Sequence, residues 1–129
     1  MILDTDILIA LLKGETDAYE AMQGLEEKSE RLATTVITAY ELLKGASLSS
    51  KQKDNLSEVQ KLLSNIDVLD LTHQACEEAA TIYCDIKRAG CLTGEFDVLI
   101  AAIALTHGES ILTRDTHFRS FKLVKVSEW

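Results

Sequence analysis

Residues 1–14 read Met1-Ile2-Leu3-Asp4-Thr5-Asp6-Ile7-Leu8-Ile9-Ala10-Leu11-Leu12-Lys13-Gly14, and they decide the fold class. Met1 to Leu3 are apolar and lead straight into a polar Asp-Thr-Asp turn, which reads as a short buried strand and its exit. Ile7 to Lys13 is too long an apolar run for the same strand, so it predicts a helix, with Gly14 as its stop. A buried strand that passes at once into a helix is the opening of an α/β unit.

The same alternation continues downstream. Residues 17–29 predict a second helix, with Ala18, Met22 and Leu25 on one side. Residues 32–34 are β-compatible, and Thr34 or Thr35 can cap a helix over 36–44 that Gly45 ends. Ser49 or Ser50 opens a further helix to Leu63. Residues 66–71 (IDVLDL) alternate apolar and acidic side chains, the period of a strand. Thr72 reads as the next N-cap, before a stripe of Ala75, Cys76, Ala79, Ala80, Tyr83 and Ile86 that Gly90 closes. Residues 98–105 (VLIAAIAL) are apolar all round, as in a helix covered on most sides. Residues 110–113 (SILT) and 123–126 read as the last strands. Strands alternating with helices predict a three-layer α/β/α sandwich with a mainly parallel central sheet, in which sites gather beyond the carboxyl ends of strands.

Composition agrees. The 129 residues are 47% hydrophobic and 26% charged, enough for one domain over 1–129 that buries about two-thirds of its unfolded surface. No apolar run approaches the roughly 18 residues of a membrane span, and no basic-then-apolar leader opens the sequence, so a cytoplasmic location without membrane contact is expected. The three cysteines, Cys76, Cys84 and Cys91, form no CxxC. Cys76 and Cys84 are expected as small buried hydrophobes on a helix. His73, His107 and His117 supply no zinc pattern. Lys plus Arg total 13 against 21 Asp plus Glu, a net charge of −8. That weighs against binding nucleic acid by bulk charge. It leaves room for an enzyme that meets phosphate through cations held by carboxylates.

Four acids stand beside apolar sequence: Asp4 after the first strand, Glu41 among Ala39, Leu42 and Leu43, Asp97 just before the apolar helix, and Asp115 after SILT. Such acids are costly unless paired, hydrogen-bonded or bound to a cation. Each also has an ordinary use. Asp97 and Asp115 can cap helices, Asp4 can open an Asx-turn, Glu41 can face water, and Asp6 can serve a turn or a cap. On the residues alone, a shared divalent-cation site and separate structural roles both fit.

These blocks carry a resemblance over essentially the whole chain. ILDTDILI, TTVITAYELLKG, GEFDVLIAAIAL and ILTRDTHF resemble, in order, the four motif blocks of PIN-domain proteins of the VapC toxin type. The resemblance implies a metal-dependent endoribonuclease, the toxin of a type II toxin-antitoxin pair. Carried over by position, it implies catalytic acids at Asp4, Glu41, Asp97 and Asp115. Asp4, Asp97 and Asp115 would hold Mg²⁺, for which Mn²⁺ substitutes, and Thr113 and Asp6 would support them. Asp6 stands where Asn is common, and Glu95 is a nearby acid without an assigned role. The implied partners are an RNA substrate, a cognate antitoxin and a second copy in a homodimer. Apolar Ile7, Leu8, Leu11, Leu12 and Met22 agree with a dimer, and core packing explains them equally. Lys13, Lys44, Lys87, Arg88, Arg114 and Arg119 are candidates for a basic rim. Two rivals remain: a PIN-like interaction module without catalysis, and a haloacid-dehalogenase-type phosphatase using the Asp4-Thr5-Asp6 pair.

Overall fold

A computed structural model describes all residues 1–129. Five parallel strands form one sheet: β1 (Ile2–Leu3), β2 (Ala33–Thr35), β3 (Asp67–Leu69), β4 (Ile111–Leu112) and β5 (Val126–Ser127). Their spatial order is β3-β2-β1-β4-β5. Six α-helices surround them: α1 (Thr5–Leu12), α2 (Thr16–Glu27), α3 (Val36–Leu48), α4 (Gln52–Leu63), α5 (His73–Arg88) and α6 (Glu95–His107). A 3₁₀ turn, Thr116–Ser120, follows β4.

The strand period of two sorts the core into two layers. Ile2 and Ile111 point to one face, where they meet Ala79 and Ile86 of α5, Val98, Ile100 and Ala101 of α6, and Phe118. Leu3 and Leu112 point to the other, where they meet Ile7 and Leu8 of α1, Ala18 and Leu25 of α2, Leu42 of α3 and Val59 of α4. Every side chain of β1 and β4 is therefore buried, which explains why these strands read as unbroken apolar pairs. The expected α/β/α sandwich is the observed fold.

Several boundaries differ from the sequence reading. The helix α1 starts at Thr5, not Ile7, so Asp4 sits at its N-cap and Asp6 in its first turn. Thr35 caps α3, its hydroxyl accepting from the Thr38 N–H at 3.1 Å, but the helix continues through Gly45 to Leu48. Gly45 keeps right-handed backbone and tertiary contacts carry the helix past it. The helix α6 starts at Glu95, three residues before the apolar run, with Gly94 as N-cap. This places Asp97 inside the first turn, where it cannot be the cap. The last strand lies at Val126–Ser127, not 123–126, and Leu123 is 77% exposed.

Cys76 and Cys84 are exposed, against expectation. On α5 the buried row is Ala75, Ala79 and Ile86, with Ile82 half-buried. Those positions are spaced four, three and four apart, the register of a helix laid along its neighbour. Cys76, Ala80 and Tyr83 sit one position further round and face outward.

The Thr35 cap holds the helix that carries Glu41. Replacing Thr35 by Val leaves the buried Thr38 N–H without its acceptor and should cost about 1 kcal/mol. Urea denaturation of the two proteins, compared at equal m-value, measures it.

Candidate active site

The chain enters the sheet at β1, adds β2 and β3 on one side, then crosses to add β4 and β5 on the other. The reversal leaves a crevice beyond the carboxyl ends of β1 and β4, the place where α/β sheets bind ligands. Asp4 leaves β1 there, and Thr113, Arg114 and Asp115 leave β4 beside it. The ladder persists into this segment, since the Asp4 N–H donates to Leu112 O at 3.2 Å and the Thr113 N–H to Ser127 O at 3.0 Å.

Asp4 is only 5% exposed. Its Oδ2 accepts the Thr113 hydroxyl at 2.7 Å, and that hydroxyl in turn accepts the Asp115 N–H at 2.9 Å. One buried threonine thus links the acid after β1 to the acid after β4. Burial pushes the Asp4 carboxyl up from 3.8 to about 7. The Thr113 hydroxyl and the Thr5 backbone N–H hold it back, while the neighbouring charges of Asp6 and Asp97 push it further up.

Asp97 comes in from the first turn of α6. Its carboxyl is also raised, first by burial, then by repulsion from Asp115 and Glu41, with His117 acting in the opposite sense. Single donor atoms of Asp97, Asp115 and His117 lie within 4.8 Å of one another. Asp115 caps the 3₁₀ turn, accepting the His117 N–H at 2.8 Å, and the His117 Nδ1 lies 2.9 Å from the same oxygen. Its capping role and its place in the cluster are therefore both real. Glu41, half-buried on α3, accepts the Thr5 hydroxyl at 2.9 Å. All four acids singled out from sequence thus lie within electrostatic reach of Asp97, while only Asp97, Asp115 and His117 bring donor atoms within 4.8 Å of one another.

Asp6 behaves differently. Its two oxygens accept the Ile7 N–H at 2.6 Å, the Arg114 N–H at 2.6 Å and the Trp129 indole N–H at 3.3 Å, with Thr113 Oγ1 also at 3.3 Å. It is spent on backbone and indole donors. The sequence set His117 aside for want of a zinc pattern and gave no site role to Thr5 or Trp129. The Asp-x-His spacing at 115–117 was a signal for the first. Nothing local links Trp129 to a residue 123 positions away.

The basic residues divide as sharply. Lys44 lies over the Tyr40 and Phe96 rings, 5.3 and 5.6 Å from their centroids. Lys13 lines the same groove as Glu41. Arg114 stacks on Trp129 and pairs with Asp17, Arg119 pairs with Glu128, and Lys87 covers Tyr83. Of the expected rim, Lys13 and Lys44 are the two that border the acids.

A profile of the PIN domain matches residues 1–123. The chain belongs to the PIN domain family. Among curated proteins it is similar to the tRNA(fMet)-specific endonuclease VapC of Shigella flexneri, 30% identical over 130 residues, covering 98% of this chain and 96% of that protein. Among solved structures it superposes on VapBC2 from Rickettsia felis bound to a promoter DNA fragment, with a TM-score of 0.91, 24% identity and coverage of 99% and 97%. DNA-bound VapBC from Salmonella typhimurium follows with a TM-score of 0.89, 25% identity and coverage of 99% and 96%. The expectation of a PIN-domain endoribonuclease of the VapC type is borne out.

The carboxylates suit a hard divalent cation: they arrive from separate segments and crowd negative charge round the buried Asp4, with the His117 imidazole at the edge of the cluster. Without a cation this charge destabilises the fold. The folded chain keeps the Asp4 proton up to about pH 7, whereas the unfolded chain releases it near 3.8. The folded state therefore binds more protons between those values, and stability falls as pH rises through them. At the upper end the penalty is at most about 4 kcal/mol. Asp4→Asn should flatten this slope and raise the melting temperature of the metal-free protein at pH 8 by on the order of 5 °C. Thermal melts in chelator from pH 5 to 8 check it, and equal melting temperatures at pH 8 would contradict it.

Proposed function

We propose that residues 1–129 act as one metal-dependent nuclease domain that hydrolyses RNA phosphodiester bonds, as the toxin of a type II toxin-antitoxin pair. The observation that carries the reading is the convergence of Asp4, Glu41, Asp97 and Asp115 from four separate segments at the sheet's switch point, in a chain of the PIN family.

Asp4, Asp97 and Asp115 are the residues that would hold Mg²⁺ or Mn²⁺, since both cations take carboxylate oxygens. When bound, such a cation acidifies water and offsets charge on the phosphate in the transition state. The chain's own groups do the rest. Thr113 keeps Asp4 ionisable by donating to its Oδ2. Glu41, which accepts the Thr5 hydroxyl through one oxygen, would use its other oxygen to orient the attacking water as a hydrogen-bond acceptor. No covalent nucleophile is needed. Four carboxylates repel RNA until a cation intervenes, so activity should vanish with chelation.

The partners follow from the same kinship. A cognate antitoxin is part of the proposal: a toxin-antitoxin complex from Klebsiella pneumoniae is among the similar structures, and a groove beside Glu41, lined by Ile9, Leu12, Leu42, Ala46 and Val59, offers such a partner an apolar bed. A homodimer is part of the proposal. Ile7 and Leu8 are fully buried in the core and lend it no support, whereas Ile9 and Leu12 are each 38% exposed. The cytoplasm is the proposed location, and no helix is long and apolar enough to cross a membrane. The phosphatase rival needs Asp6 free to act as an acid, and its oxygens are taken up by backbone and indole donors.

Asp97→Asn should leave the fold intact, weaken Mn²⁺ binding by at least tenfold (about 1.4 kcal/mol) and abolish RNA cleavage. Calorimetric titration of partner-free protein, followed by cleavage assays on structured RNAs, tests both. Full cleavage by the variant would favour the interaction module with a contaminating nuclease and sink the assignment.

A further inference from the structure

The Asp6 contacts close a ring. Asp6 Oδ2 accepts the Arg114 backbone N–H at 2.6 Å. The Arg114 side chain then turns back: its guanidinium lies 3.6 Å from the centroid of the Trp129 ring, and its Nε donates to the Trp129 main-chain oxygen at 2.8 Å. The Trp129 indole N–H returns to Asp6 Oδ1 at 3.3 Å. Arg114 Nη2 is also tied to Asp17 of α2 at 3.2 Å. Trp129 itself packs on the apolar layer formed by Leu3, Leu8 and Leu112.

Arg114 is thus gripped at both its backbone and its side chain. Its neighbours in sequence are Thr113, whose hydroxyl holds Asp4, and Asp115, which faces Asp97. β4 is only two residues long, so the sheet alone anchors this segment weakly. We infer that Trp129 and Arg114, acting through Asp6, are positioning residues that hold the Thr113–Asp115 segment where Asp115 can share a cation with the other acids. The inference rests on the metal-site reading above. It also assigns Asp6 a reason to be an acid. Three N–H donors converge on its two oxygens, and an acceptor-only carboxylate satisfies all of them, whereas an amide would turn a donor toward one. A carboxylate beside Asp4 is electrostatically unfavourable, and this donor set offsets it. Arg114 thereby gains a role inside this ring of contacts, distinct from that of a basic residue on the rim.

The test compares Mn²⁺ affinity by calorimetry at 15 °C, on variants whose circular dichroism shows them folded, with melting temperature in chelator. The proteins are wild type, Trp129→Ala, Trp129→Phe, Asp97→Asn, and Leu25→Ala as a core variant in α2. Trp129→Ala should weaken Mn²⁺ binding about tenfold, the usual scale for groups that orient metal ligands. Trp129→Phe keeps the stack on Arg114 and loses the indole N–H, so it should fall between Trp129→Ala and wild type, and it serves alone if Trp129→Ala fails to fold. Leu25→Ala should lower the melting temperature and leave Mn²⁺ affinity unchanged. The inference is overturned if both Trp129 variants bind Mn²⁺ as wild type does, or lose no more affinity than Leu25→Ala. If instead wild type binds no Mn²⁺, or Asp97→Asn binds it equally, the metal-site reading itself fails and takes this inference with it.

Discussion

The hydrogen bond from the Thr113 hydroxyl to the buried Asp4 carboxylate is the interaction on which the site depends. Asp4 lies at the end of the central strand, enclosed on both sides by apolar layers, where a carboxylate would be expelled or neutralised. Thr113 supplies one donor and the start of α1 another, through the Thr5 N–H and the positive end of a helix. The same hydroxyl accepts the Asp115 N–H within the β4 exit, so the bond that ties this segment to Asp4 also fixes the local turn that presents Asp115.

Sheet topology turns this local link into a site. Parallel strands place all their carboxyl ends on one edge, and the reversal of strand order leaves that edge open between β1 and β4. Helices supply the remaining acids from the two layers. Glu41 comes from α3 on one face and Asp97 from the first turn of α6 at the other. The cost is an apo protein strained by its own charge. Removing those charges should make the fold more stable and the enzyme inert, the trade between stability and activity seen where function demands like charges at close range.

A net charge of −8 and the proposed RNA substrate are reconciled by locality. Most arginines near the site are occupied by internal partners, Arg114 by Trp129 and Asp17, and Arg119 by Glu128. Lys13 and Lys44 are left beside the acids. A cation in the cluster would then be the principal attraction for phosphate, which couples substrate binding to metal binding.

Much of this was legible in the chain by itself. Apolar triplets and long apolar runs in alternation specify strands and helices because burial period is a local property of sequence. The parallel α/β sandwich followed from that pattern, as did three acids at element ends and Glu41 within a helix, and the four motif blocks pointed to the PIN family. Local signals failed at helix ends. Thr5 and Glu95 begin helices before the apolar periodicity does, since a first turn is set by capping and packing and not by apolar residues. They failed again on α5, where Cys76 and Tyr83 differ from Ala75 and Ile82 by one position, and only the neighbouring helix decides which row is buried. The partnership of Asp6, Arg114 and Trp129, and the approach of His117 to Asp97, belong wholly to tertiary structure. Hydrogen bonds across more than a hundred residues leave no periodic trace in sequence, because nothing but the folded sheet brings those positions within reach.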